Sequence, residues 1–156
     1  MPNYCYYTMK VAGKQSDIEK LVEVMNRDYN YISGGKKPLP HLWRVFEATY
    51  DKVNQLITGD CAWSVYCCMF DGKGTYQGDH KNDPKYNGTT IVALSKELNL
   101  KIEIYSEETG MCFQEHYLID KGKVLINDCR ECNWEENEDG EYEPVDGFPN
   151  YCKFVF

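Results

Sequence analysis

One stretch constrains this chain more than any other: Met111–Trp134, MCFQEHYLIDKGKVLINDCRECNW. Two runs of strand-forming residues flank Asp120-Lys121-Gly122, where glycine tolerates the positive φ of a tight turn. The pattern predicts an antiparallel hairpin. The same stretch carries Cys112, Cys129, Cys132 and His116, one of only three histidines in the chain. A C-x-x-C leaving a strand can place two sulfurs on one metal ion. An acidic run follows directly.

The rest of the chain reads around this hairpin. Residues 4–12 alternate and predict a strand with Cys5, Tyr7, Met9 and Val11 on one face. Ser16-Asp17-Ile18-Glu19 reads as a capping box opening a helix. Ile18, Leu21, Val22, Met25 and Tyr29 give that helix its apolar side. Breakers fill Ser33 to Pro40. Leu42, Trp43, Phe46, Thr49, Tyr50, Val53, Leu56 and Ile57 then recur every three or four residues, which predicts a second, inserted helix over 41–58, stopped at Gly59. CAWSVYCCMF, residues 61–70, is apolar throughout and reads as a buried central strand. Asp71 to Gly88 is a polar loop rich in glycine. Thr89 or Thr90 caps a third helix with Ile91, Val92, Leu94 and Leu98 inward, ended by Asn99. Ile102, Ile104 and Tyr105 mark a strand before the hairpin, and Tyr151 to Phe156 a short final one. The expectation is a single α+β domain over 1–156, a sheet with helices packed on one face, an inserted helix and a late hairpin.

Charge narrows the function classes. The net charge is −8, and eight acids between residues 131 and 146 meet no Lys or Arg there. Without them the chain has 17 acids and 17 bases. Such a field repels nucleic acid and favours a basic protein surface. The acidic segment, about 131–149, is expected to be a loop, with disorder a candidate state. Its interaction residues are Glu131, Trp134, Glu135, Glu136, Glu138, Asp139, Glu141, Tyr142 and Glu143, since aromatics among acids can anchor a contact. A solvated loop is the plainer alternative. The start MPNYCYYTMK lacks the charged-then-apolar order of a signal peptide, and apolar runs stay short of a membrane span. The cytoplasm is the expected location, with the eight cysteines reduced.

Cys112, His116, Cys129 and Cys132 are the candidate metal ligands. Thiolates and imidazole suit Zn²⁺, and a structural site wants four donors. His80 and Cys152 are substitutes. Buried free thiols are the competing reading. Cys5, Cys61 and the Cys67-Cys68 pair read as core. His116 as a general base lacks a nucleophile beside it, His41 is incidental, and Asp71-Gly-Lys-Gly-Thr75 lacks phosphate-loop spacing. No enzyme activity is expected.

MPNYCYYTMKVAGKQSDIEK and LSKELNLKIEIYSEETGMCFQEHYLIDKGKVL resemble the two halves of the Api92-like, or YubB-type, ferredoxin-like domain family. The resemblance implies a ferredoxin-like fold and an origin in phages or mobile elements. It supplies no catalytic residues. Size and acidity also resemble type II-A anti-CRISPR proteins, which bind the host nuclease Cas9. The expected function is therefore inhibition of Cas9 by blocking nucleic-acid loading in the host cytoplasm, with a structural Zn²⁺. The alternative is a zinc-binding structural or regulatory domain with another protein partner. An enzyme or small-ligand binder using a cleft near the glycine-rich loop is the third reading.

Overall fold

The computed structural model describes residues 3–27, 40–71 and 89–156. Strand β1 (Tyr4–Ala12) buries Cys5, Tyr7, Met9 and Val11 by strict alternation, as the sequence predicts. A two-residue period with apolar groups on one side makes one face of a sheet hydrophobic. Helix α1 (Gln15–Met25) covers part of that face with Ile18, Leu21, Val24 and Met25. Its start differs from expectation. Lys14 is the N-cap and no side chain caps it, so Ser16 lies inside the first turn and the capping box does not form. Tyr29 lies outside the described residues.

The predicted helix over 41–58 is instead a hairpin of β2 (Val45–Asp51) and β3 (Leu56–Ala62). Turn chemistry overrides the apolar spacing. Asp51 Oδ1 accepts from the backbone N–H of Val53 at 3.0 Å and Asn54 at 3.3 Å, closing a side-chain turn. A register shift between Val45 and Glu47 breaks the alternation and mimics a helical period. Val53 is 90% exposed at the turn, where a helix would have buried it. Gly59 is a strand residue, not a helix stop. A Cβ there would lie 1.9 Å from the Glu47 carbonyl oxygen, so the close pairing of β2 and β3 needs glycine.

The central strand expected over 61–70 ends at Ala62. Trp63 turns the chain at φ 68°, and Tyr66–Phe70 form one wide helical turn closed by Asp71 N–H to the Tyr66 carbonyl. Helix α2 (Ile91–Glu97) begins where predicted, with Thr90 accepting from Ala93 N–H, and ends before Asn99 at φ 54°. Strands β4 (Lys101–Glu108), β5 (Phe113–Asp120) and β6 (Lys123–Glu131) follow. The β5–β6 turn is Lys121-Gly122, both at positive φ, the twist-matched type for two-residue hairpins.

The six strands run in the order β2-β3-β1-β4-β5-β6, and every neighbouring pair is antiparallel. β1 and β2 therefore point the same way across β3, joined through α1. β3 and β4 point the same way across β1, joined through α2. The fold class is α+β.

Register assigns the faces. Cys5, Tyr7, Met9, Val11, Ile57, Cys61, Ile102, Ile104, Tyr117 and Ile119 form the face under α1, α2 and the helical turn. Cys5 and Cys61 are directly opposite, and with Cys68 they are wholly buried free thiols, as read from the sequence. The reverse face carries Glu103, Tyr105, Gln114 and His116, also buried. Residues 147–156 cover it without forming the expected final strand. Phe148 N–H bonds Gln114 Oε1 at 2.8 Å, Tyr105 donates its hydroxyl to the Lys153 carbonyl, and Val155 N–H bonds Glu103 Oε1 at 2.6 Å. Tyr105 is edge-on to Phe148, Tyr151 and Phe154.

Candidate interaction surface

The acidic run is an ordered arm. β7 (Trp134–Glu136) pairs with β8 (Tyr142–Pro144), with Trp134 opposite Pro144, Glu135 opposite Glu143 and Glu136 opposite Tyr142. Asn137 builds the tip. Its Oδ1 accepts from the N–H groups of Asp139 and Glu141, both at 2.9 Å, and Gly140 follows at φ 80°. At the root, Val145 N–H bonds the Asn133 carbonyl and Asn133 Nδ2 bonds Asp146 Oδ2 at 2.6 Å. Asn and Gly supply the turn that the acids alone lack, so a loop assignment missed the strands.

Alternation sorts the arm into two sides. Trp134, Glu136, Tyr142 and Pro144 share one. Glu135 and Glu143 share the other. Trp134 is half-buried and Tyr142 is 68% exposed. All eight acids from Glu131 to Asp146 are exposed. Among the described residues no Lys, Arg or His forms an ion pair with any of them. Like charges directly opposite destabilise a strand pair. The arm therefore keeps an uncompensated negative field beside two aromatic rings.

The four expected metal ligands are not brought together. Cys112, at φ 58°, and Cys132 are neighbours, since Cys132 N–H bonds the Cys112 carbonyl at 2.7 Å. Cys129 lies opposite Glu115 on β5, on the helix-covered face. His116 lies opposite Asp128, on the reverse face. A two-residue period thus separates His116 from Cys129 by the thickness of the sheet. Among the described residues no three His, Cys, Asp or Glu side chains converge to hold a metal ion, so Zn²⁺ finds no support there. Partial burial raises the thiol pKa of Cys129 and Cys132 in the metal-free protein. Burial likewise raises the substitute Cys152. His80 lies outside the described residues.

Two carboxylates that the sequence reading passed over organise the interior. Glu115 is buried and accepts from Val65 N–H at 2.9 Å, Tyr66 N–H at 3.1 Å, Ser106 Oγ at 2.6 Å, Tyr117 Oη at 2.7 Å and, more weakly, Cys5 Sγ. Five donors replace water around one anion, which is what keeps such burial tolerable. Glu103, also buried, holds His116 Nε2 at 2.7 Å on Oε2 and Val155 N–H on Oε1. The His116 ring stacks on Tyr105 with centroids 4.0 Å apart. The available signal was a lone acid between isoleucines in Ile102-Glu103-Ile104. It was unreadable without knowing that the C-terminal residues cover that face.

Comparison with protein-family models, curated proteins and solved structures finds no match. Among the described residues no helix is long and apolar enough to cross a membrane.

Proposed function

We propose that the chain is a protein-binding module whose β7–β8 arm docks on a basic surface of a partner. The carrying observation is the arm itself: six exposed acids on a hairpin braced at root and tip, with Glu131 and Asp146 flanking it, no ion pair to any of the eight among the described residues, and Trp134 and Tyr142 set among them. A rigid arm loses little conformational entropy on docking, and a localised field speeds encounter with an opposite charge. Two aromatic anchors give such a contact short-range affinity.

The scaffold in this reading is ferredoxin-like. Two split βαβ units and the order β4-β1-β3-β2 within the larger sheet support it. β5, β6 and the arm are then additions on the β4 edge. Among basic partners, the nucleic-acid channel of host Cas9 is the one that the sequence resemblance puts first. In that case the arm occupies phosphate-binding residues and blocks loading. Zn²⁺ has no part in this reading.

The test is a binding assay of purified protein with Cas9 at low and high salt, alongside Glu135→Gln/Glu136→Gln/Glu143→Gln. Salt-sensitive capture that the triple variant loses, together with blocked target-DNA loading, is the expected result. Absence of capture at low salt overturns the Cas9 assignment. Pull-down from host lysate with native and variant arms then decides whether another basic partner takes its place.

A further inference from the structure

The reverse face holds a cleft of about 390 Å³ that none of the arm acids lines. Its walls include His116, Asp128, Arg130, Phe148, Pro149 and Lys153. Its polar groups are set for use. Glu103 accepts from His116 Nε2, so that nitrogen carries the proton. In the neutral form of the ring Nδ1 is the acceptor, and Nδ1 has no hydrogen-bond partner among the described residues. Stacking on Tyr105 and the edge contact with Phe148 fix the ring. Arg130 meets Asp128 only through Nε, at 3.6 Å, which leaves both terminal nitrogens of the guanidinium open. Its Cζ lies 4.8 Å from the centre of the Phe148 ring. Lys153 adds a second cation at the rim.

We infer that this cleft binds a small organic oxyanion, a carboxylate or phosphate monoester, that also carries a hydrogen-bond donor. The open fork of Arg130 matches a carboxylate or phosphate edge, with Lys153 as a point charge beside it. The donor on the ligand meets His116 Nδ1. Phe148 and Pro149 cover the ligand's apolar body. The volume falls in the range of small-molecule sites and exceeds the needs of a bare ion. Such a site is independent of the arm's partner, because it uses neither the arm acids nor Trp134 and Tyr142.

The probes are 4-hydroxybenzoate, benzoate, phenyl phosphate and neutral phenol. Binding is read by calorimetry and by the ring ¹⁵N resonances of His116. Expected is binding of the three anions, tighter for 4-hydroxybenzoate than for benzoate, with movement of the Nδ1 resonance. Phenol is at least tenfold weaker. Arg130→Gln and Lys153→Gln each weaken the anions at least fivefold. Both side chains are at the surface, so these variants keep the fold. Glu135→Gln/Glu143→Gln leaves the affinities unchanged. Unmoved His116 resonances at millimolar probe, phenol binding equal to benzoate, or full affinity in Arg130→Gln overturns the assignment.

Discussion

Glu135 stands directly opposite Glu143 across the two strands of the arm, and among the described residues no cation pairs with either. Glu143 also accepts from Asn137 Nδ2 at 3.1 Å, so the clean change is at Glu135, where lysine turns a repulsive pair into an attractive one. The arm should gain roughly 0.2–1 kcal/mol. Partner binding should weaken at the same time, because the field that attracts the partner is reduced. Amide exchange of Glu136 and Tyr142, measured beside a salt-dependent binding assay, checks both signs. A variant with slower exchange and tighter binding contradicts the docking role.

Asn26 ties α1 to β2 with both ends of its amide. Nδ2 bonds the Ala48 carbonyl at 2.8 Å, and Oδ1 accepts from Ala48 N–H at 2.9 Å. Asn26→Ala leaves a largely buried peptide group without partners. The expected loss is about 1–3 kcal/mol in urea unfolding. Asn26→Asp keeps one bond but sets a carboxylate against the Ala48 carbonyl, and it should rescue little.

Alkaline pH should unfold the protein early. Burial raises the phenol pKa of Tyr7, Tyr117 and Tyr151 well above the ordinary 10.0, with neighbouring thiols and carboxylates adding to it. A raised folded value means stability is intact below the unfolded value and is lost as pH rises past it. Urea midpoints should hold below pH 10 and fall above it. In ultraviolet titration these three phenols should ionise only together with unfolding. Free ionisation in a folded chain contradicts their burial.

Thiol labelling should follow exposure. Cys129, exposed on β6, reacts first. The half-buried Cys67, Cys112 and Cys152 follow, and Cys5, Cys61 and Cys68 react only on unfolding. Because His116 and Cys129 face opposite sides of the sheet, Cys129→Ser should leave the melting temperature unchanged with or without added Zn²⁺. A zinc-dependent shift abolished by that substitution restores the four-ligand site.

The parts of this fold that were legible in the sequence carried one signal without a rival. β1 alternates cleanly, Thr90 starts α2, and Lys121-Gly122 fixes the last large hairpin. The β2–β3 hairpin was misread because two signals competed. Its apolar residues fit a helical spacing, while Asp51 and Asn54 specified a turn, and the turn prevailed. Ser16 and Glu19 match a cap motif, yet the N-cap is Lys14, two residues earlier, and the helix begins at Gln15. The acidic arm was visible as charge but not as strands, because its pairing depends on Asn137 and Gly140 at the tip. For the metal constellation, register sets His116 and Cys129 on opposite faces of the sheet. Spacing along a chain says which residues are near in sequence, and alternation decides which side of a sheet they reach.

Glu115 joins segments that are far apart in the chain: β1 through Cys5, the helical turn through Val65 and Tyr66, and β4 through Ser106. Losing the helical turn would take two of five donors from a buried carboxylate and leave water to replace them. Fraying of that short turn is therefore opposed from the sheet beneath it. Deuterium uptake at Val65 and Tyr66 should run slower than a lone five-residue turn allows, so a small element borrows endurance from the core.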